Sequence, residues 1–95
     1  MLHLVAFPPE REDLTRQLLQ QSASGDTLVL LEQGCRLAEA PSPLAPITDA
    51  CTLLVIESDL RHHHAGEPDP AIQQIDYTGL ARATEAHTAS LAWFP

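Results

Sequence analysis

Three short runs of apolar residues constrain the fold of this chain more than any other feature. They are Leu2 to Phe7, Thr27 to Leu31 and Cys51 to Ile56. The last two lack the apolar-polar alternation of a strand that faces water on one side, and the first, which Pro8 and Pro9 end, reads as the same buried kind. Continuous apolar runs of this length are typical of strands covered on both faces, so we predict three central strands of a largely parallel sheet.

Helical patterns separate the predicted strands. From Glu10 to Ser22, Leu14, Leu18 and Leu19 fall on one stripe of a helix, which would pack on the sheet. A short strand from Ile72 to Ile75 leads into a last helix from Tyr77 to His87. Strands that alternate with helices and right-handed crossovers predict a three-layer α/β sandwich with a small, mostly parallel sheet.

The connections between these elements are less regular. Cys35 to Ala40 predicts a short helical piece, and Pro41 to Pro46 holds three prolines, which forbid a regular helix. We predict a loop there, with a turn of helix around Ile47 to Ala50. A short helix starts near Glu57, and Ser58 or Asp59 is its expected cap.

The charge and length of the chain limit the number of domains and the kinds of partner that we expect. The 95 residues are expected to form one domain, 1–95, with a formal net charge of −8 and only five basic side chains, all scattered arginines. Such a surface repels phosphate, so no direct nucleic-acid partner is expected. No segment approaches the roughly 20 apolar residues of a membrane span, and the chain opens without a basic signal-peptide start, so we expect a cytoplasmic protein with no membrane partner.

The two cysteines predict thiols and not a disulfide framework. Cys35 follows a strand and a glycine, a position where a helix N-terminus can lower a thiol pKa and make it reactive, or where it is simply a small side chain at a turn. Cys51 begins an apolar run and is expected in the core. Cys35 is therefore the one candidate for catalytic chemistry.

Arg61 is followed by three adjacent histidines, His62, His63 and His64, which are the candidate metal ligands of the sequence. Neighbouring residues on a helix point about 100° apart, so at most two of them could share one ion. An exposed helix end is the alternative interpretation. The sequence contains no glycine-rich phosphate loop and no Ser/His/Asp signature, so we expect no cofactor and no activity of the chain alone.

Four residues near the end of the chain carry structural predictions. Asp76 is placed to cap the last helix, and Tyr77 to pack its ring while its hydroxyl reaches a polar neighbour. His87 is expected to interact with the terminal carbonyls of that helix. Trp93, with Phe94, is too apolar for a free tail and is expected to dock on the body or on a partner subunit.

Three blocks of sequence resemble the TusB family of sulfur-relay subunits, called DsrH in sulfur-oxidising bacteria. They are Met1-Leu2-His3, the segment Gly25 to Gly34, and the C-terminal block, which occur in the family's order and span most of the chain. The last block is the most specific. Its matching residues are Ile75, Asp76, Tyr77, Leu80, Thr84, His87 and Trp93.

The resemblance implies a DsrEFH-like fold and a place in a complex with TusC-like and TusD-like subunits, a heterohexamer assembled as a dimer of heterotrimers. Such complexes relay persulfide sulfur toward 2-thiouridine at the tRNA wobble position, and the sulfur-carrying cysteine belongs to the TusD-like partner. DsrH has a cysteine in its first helix, where this chain has Leu18. The chain also departs from the family after Asp59-Leu60 and in its proline-rich loop.

Three hypotheses follow. The leading one is a non-catalytic subunit of a cytoplasmic sulfurtransferase complex. The second is a thiol-active sulfur carrier that uses Cys35 in sulfur oxidation. The third is a self-associating α/β binding module without sulfur chemistry.

Overall fold

One sheet organises the fold of the chain, of which the computed structural model describes residues 1–63 and 65–95. Its strands are β1 (Leu2–Val5), β2 (Thr27–Leu30), β3 (Thr52–Ile56), β4 (Gln73–Ile75) and β5 (Ser90–Trp93). They lie in the order β4-β3-β2-β1-β5. Every neighbouring pair is parallel, so the sheet predicted as mostly parallel is entirely so.

Helices cover both faces of this sheet. They are α1 (Glu12–Gln21), α2 (Arg36–Glu39), α3 (Glu57–His62) and α4 (Tyr77–Ala86), with two 3-10 segments, Glu32–Cys35 and Ser42–Ile47. The α/β class is confirmed, with α1, α2 and α3 on one face and α4 on the other. No helix in the described part of the chain is long and apolar enough to cross a membrane.

The two faces are unequally covered. The larger core joins alternate residues of the central strands to buried side chains of α1 (Leu18), α2 (Leu37) and α3 (Leu60). On the other face α4 is the one helix of the described residues that packs, through the half-buried Leu80 and Ala83, and none of its residues is fully buried. One face therefore holds a full core, while the second has a single thin cover.

The proline-rich segment differs from its prediction. Instead of a loop, Ser42–Ile47 forms a 3-10 helix that buries Leu44 and Ile47. A 3-10 turn accepts the fixed φ of proline, and burial of these two side chains holds the segment on the core. The helical turn predicted around Ile47 to Ala50 begins at the last residue of this 3-10 helix and continues as hydrogen-bonded turns.

The predicted cap of α3 was wrong. The helix begins directly from β3 at Glu57, its N-cap is Ile56, and no side chain caps it. Asp59 instead accepts a hydrogen bond at 2.7 Å from the backbone N–H of Glu32. Glu32 has a positive φ of 50°, a backbone conformation that non-glycine residues rarely adopt, and this bond stabilises it.

A close backbone approach explains Gly34, which follows β2. A Cβ atom at this position would lie 2.0 Å from the carbonyl oxygen of Val5 at the end of β1. Only glycine lets the 3-10 segment sit this close to the sheet. The approach places the following residue, Cys35, inside the core.

The fifth strand was not predicted from the sequence. Ser90–Trp93 pairs with β1 at an edge of the sheet, in a register that places Trp93 beside Val5. The segment is too short and too exposed for a periodic pattern, which is why it was predicted only as a docked tail. Pairing with β1 makes it a strand.

Candidate functional site

A hydrogen-bonded network lies where the amino ends of the central strands meet. His3 on β1 is fully buried, and its Nε2 lies 2.9 Å from Oδ2 of Asp26, the residue before β2. The Nε1–H of Trp93 donates to Nδ1 of the same ring at 3.1 Å. Because an indole nitrogen only donates, Nδ1 accepts and the proton of the neutral ring sits on Nε2, facing Asp26.

Asp26 is the charged centre of this network, which we call the His3–Asp26–Trp93 network. Its carboxylate also accepts from the Met1 ammonium at 2.9 Å and from the Ala23 N–H at 2.9 Å. Burial by itself would raise the pKa of this carboxyl, but the bonds from Met1, Ala23 and His3 hold the pKa well below its usual range. The group is therefore a fixed negative charge at neutral pH.

An Asp-His pair is also the arrangement that orients a general base in hydrolases. Here the second ring nitrogen of His3 is occupied by Trp93, and the ring is fully buried, so no substrate proton can reach it. The network therefore joins β1, β2 and β5 and performs no acid-base chemistry. Sequence reasoning did not single out His3 and Asp26, although a histidine inside an apolar run and an aspartate heading the next run are a recognisable signal.

His87 lies outside its predicted role. It follows α4 with extended backbone, and its Nε2 lies 2.9 Å from the hydroxyl oxygen of Thr27 on β2 and not in a hydrogen bond with a carbonyl of the last helical turn. The bond fastens the end of α4 over the sheet. Thr27 directly follows Asp26, so the last helix is attached beside the buried network.

The start of α4 matches one prediction and not another. Oδ1 of Asp76 accepts from the Gly79 N–H at 2.8 Å, the predicted cap. Tyr77 is 59% exposed, so its ring does not pack within the chain as predicted. The ring is available to a partner.

The environment of Cys35 opposes the predicted reactive thiol. Its side chain is fully buried, with Sγ 3.5 Å from the carbonyl oxygen of Asp59. Burial, with the nearby Asp59 carboxylate, raises the pKa of Cys35 to about 11, and Arg36 offsets this only in part. A neutral, buried thiol is a poor nucleophile.

Cys51 lies at the margin of the core, half-buried, and not within the core as predicted. Its Sγ is 3.4 Å from the carbonyl oxygen of Ala23. Burial and the Asp26 carboxylate raise its pKa as well. Leu18 on α1 is fully buried.

A cleft opens at the carboxyl ends of β2 and β3, the edge where open α/β sheets commonly bind ligands. It is lined by Glu32, Gln33, Asp59, His62, His63 and Tyr77. The rings of His62 and His63 meet edge to face with centroids 4.9 Å apart. Residues 1–63 and 65–95 contain no group of three or more His, Cys, Asp or Glu side chains that could hold a metal ion, and His64 lies outside the described residues.

A wider groove of about 700 Å³ runs between α4 and the strands β3 and β4. Its lining is largely polar and small, including Thr52, Gln73, Arg82 and Ala86. The Thr27 hydroxyl and the His87 ring, which are joined by the 2.9 Å contact described above, also line this groove. The groove reflects the thin cover that α4 gives to this face.

The fold and these contacts define a class, the small α/β proteins built on a five-stranded parallel sheet. No protein-family model matches the sequence. No curated protein matches it either. The class is therefore assigned from structure.

Two solved structures have a similar fold. One is the protein of unknown function MTH1491 from Methanobacterium thermoautotrophicum, with a TM-score of 0.65 and 12% identity over 97% of this chain and 96% of that chain. The other is the protein Tm0979 from Thermotoga maritima, with a TM-score of 0.64 and 16% identity over 92% of this chain and 94% of that chain. At these identities the likeness shows the fold alone.

Proposed function

We propose that the chain is a non-catalytic subunit of a cytoplasmic sulfur-relay complex that passes persulfide sulfur toward 2-thiouridine at the tRNA wobble position. The observation that carries the proposal is the meeting of the three TusB-like blocks. His3 comes from the first block, Asp26 from the second and Trp93 from the third, and they share one buried network. The residues behind the resemblance are thus structural residues of one scaffold.

The state of the thiols supports a role without catalysis. Sulfur transfer through a persulfide requires a thiolate that a donor can reach. Cys35 is buried with a pKa raised to about 11, and the pKa of Cys51 is also raised. In the proposed complex the sulfur therefore travels on a cysteine of the TusD-like partner.

The face covered only by α4 supports a role in assembly. No residue of α4 is fully buried, and Tyr77 at its start is 59% exposed. A partner that packs on α4 would complete the thin layer and add the apolar burial that a small domain lacks. TusC-like and TusD-like subunits of a heterohexamer are the proposed partners.

A complementation experiment tests the role. We would delete the gene in its host, measure 2-thiouridine in total tRNA by mass spectrometry, and restore either the natural chain or the variant with Cys35→Ala and Cys51→Ala. We expect thiolation to fall on deletion and to return with both chains. Unchanged thiolation after deletion would overturn the proposal, and failure of a folded cysteine-free chain would favour the thiol-active carrier.

A second experiment addresses the partners. Affinity isolation of the tagged chain from its host should recover two small α/β proteins, one with a reactive cysteine. Tyr77→Ala should reduce their recovery, whereas Glu85→Ala, also exposed on α4, should not. Recovery of the chain without such partners would contradict the assignment.

A further inference from the structure

In the described residues, no strand pairs with the outer edge of β5. Its backbone bonds with β1 include one from the Leu2 N–H to the Ala89 carbonyl at 3.0 Å and one from the Ala6 N–H to the Trp93 carbonyl at 2.9 Å. In a parallel ladder the residues that bond to one neighbour alternate along the strand. The backbone groups of Leu91 and Trp93 therefore face β1, and those of Ser90, Ala92 and Phe94 face outward.

This edge lacks the features that protect strand edges in other proteins. Residues 88–95 contain no charged side chain in a chain of net charge −8, and no proline lies within β5. In the described part of the chain, three of the four exposed large apolar side chains lie on β5 or beside it: Met1, Leu91 and Phe94. An uncharged, apolar, open edge is a template for another strand.

The opposite edge of the sheet differs. There β4 has only three residues, and two of them are exposed glutamines, Gln73 and Gln74. Short, polar edge strands resist pairing. The two edges of the same sheet are thus distinguished, and only β5 is suited to extension.

We propose that β5 pairs antiparallel with β5 of a second copy of this chain, about a two-fold axis at Ala92. Ala92 then faces Ala92 of the second copy, and Ser90 faces Phe94. These are the residues whose backbone groups point outward, so each such pair exchanges both of its hydrogen bonds. The result is one ten-stranded sheet.

The side chains fit this register. On the face covered by α4, the large Phe94, which is 65% exposed, lies across from the small Ser90, with alanine at the centre. On the other face Leu91, 40% exposed, lies across from Trp93. The small Ser90 leaves room for the ring of Phe94, and the contact between Leu91 and the aromatic Trp93 is the kind of apolar cross-strand contact that stabilises a pair of strands.

The absence of charged side chains around β5 favours a second copy of this chain as the source of the pairing strand. A basic partner would find no acidic side chain in residues 88–95, and two acidic chains meet here without repulsion between strands. A two-fold axis also closes the interface, because each edge is used once. The pairing does not depend on the proposed function and leaves α4 free for other subunits.

Crosslinking tests the register in the full chain with Cys51→Ser. Ala92→Cys places two cysteines opposite each other across the two-fold axis. Their Cα atoms are about 5.5 Å apart, a distance that a disulfide can span. Ser90→Cys is the matched control, because its two copies lie roughly 14 Å apart along the strands. We expect mild oxidation to link the first variant into a dimer and to leave the second as single chains. Equal linking of both, or none of the first, would overturn the register.

The mass of the protein in solution tests whether the β5 edge forms the dimer. Sedimentation should give a dimer for the natural chain and for Gln73→Lys on β4, and single chains for Ala92→Lys, which sets two like charges face to face. Circular dichroism checks that each variant is folded. If Ala92→Lys does not fold, the crosslinking experiment still tests the pairing. A monomeric natural chain at high concentration, or a dimer that survives Ala92→Lys, would contradict the proposal.

Discussion

Asp26 is a residue whose contribution to stability a single substitution can test. Asp26→Asn keeps one acceptor oxygen but removes the charge that receives bonds from Met1, Ala23 and His3. We expect the free energy of unfolding at pH 7 to fall by about 1–3 kcal/mol, measured in urea. Asp49→Asn, at an exposed position, is the control and should change it by less than about 0.5 kcal/mol.

Asp26 should also make the free energy of unfolding depend on pH in the acid range. Its pKa is lower in the folded chain than in the unfolded chain, so the unfolded chain takes up a proton first as the pH falls. The stabilisation is complete above a pH of about 4 and is lost progressively below it. Asp26→Asn should flatten this part of the stability profile, and an unchanged profile would show that the carboxylate is not the cause.

The reactivity of the Cys35 thiol can be tested directly. With a pKa of about 11 and full burial, its thiolate is scarce at pH 7. Alkylation of Cys35 in the folded chain should be at least about a hundredfold slower than in urea, as followed by mass spectrometry of its peptide. Cys51, which is half-buried, is the internal comparison. Alkylation of Cys35 as rapid as that of a free thiol would argue for a carrier role.

Among the elements, α4 depends on its cap. Asp76→Ala removes the bond from the Gly79 N–H and should lower the free energy of unfolding by about 1 kcal/mol. Glu85→Ala, exposed near the other end of the helix, should change it by less than about 0.5 kcal/mol. Thermal unfolding followed by circular dichroism compares the two. Equal effects would mean that the cap does not hold the helix.

The elements also divide into those that local pattern could predict and those that it could not. Predicted strands at Thr27 to Leu31 and Cys51 to Ile56 agree with β2 and β3 within one residue at each end, because after its first threonine each strand is apolar and buried. For β5 there is no such pattern, since all of its residues except Trp93 are exposed. Its strand conformation depends on pairing with β1.

At the scale of the whole molecule, charge determines which partners the isolated chain can bind. The net charge of −8 and the scattered arginines repel a phosphate backbone. We expect no saturable binding of the isolated chain to tRNA in filter-binding assays at about 50 mM salt, where such contacts are strongest. Binding that weakens steeply as salt is raised would contradict this and would place the chain in direct contact with the tRNA.

The sequence by itself determined the α/β class, the order of its main strands and helices and the cap at Asp76, because burial on both faces and local hydrogen bonding leave local patterns. Tertiary structure decided the rest. Trp93 bonds to a residue 90 positions away, and His87 to one 60 positions away. The burial of Cys35 likewise depends on how closely Gly34 approaches Val5. Such contacts arise only when distant segments meet, so no local pattern of residues encodes them.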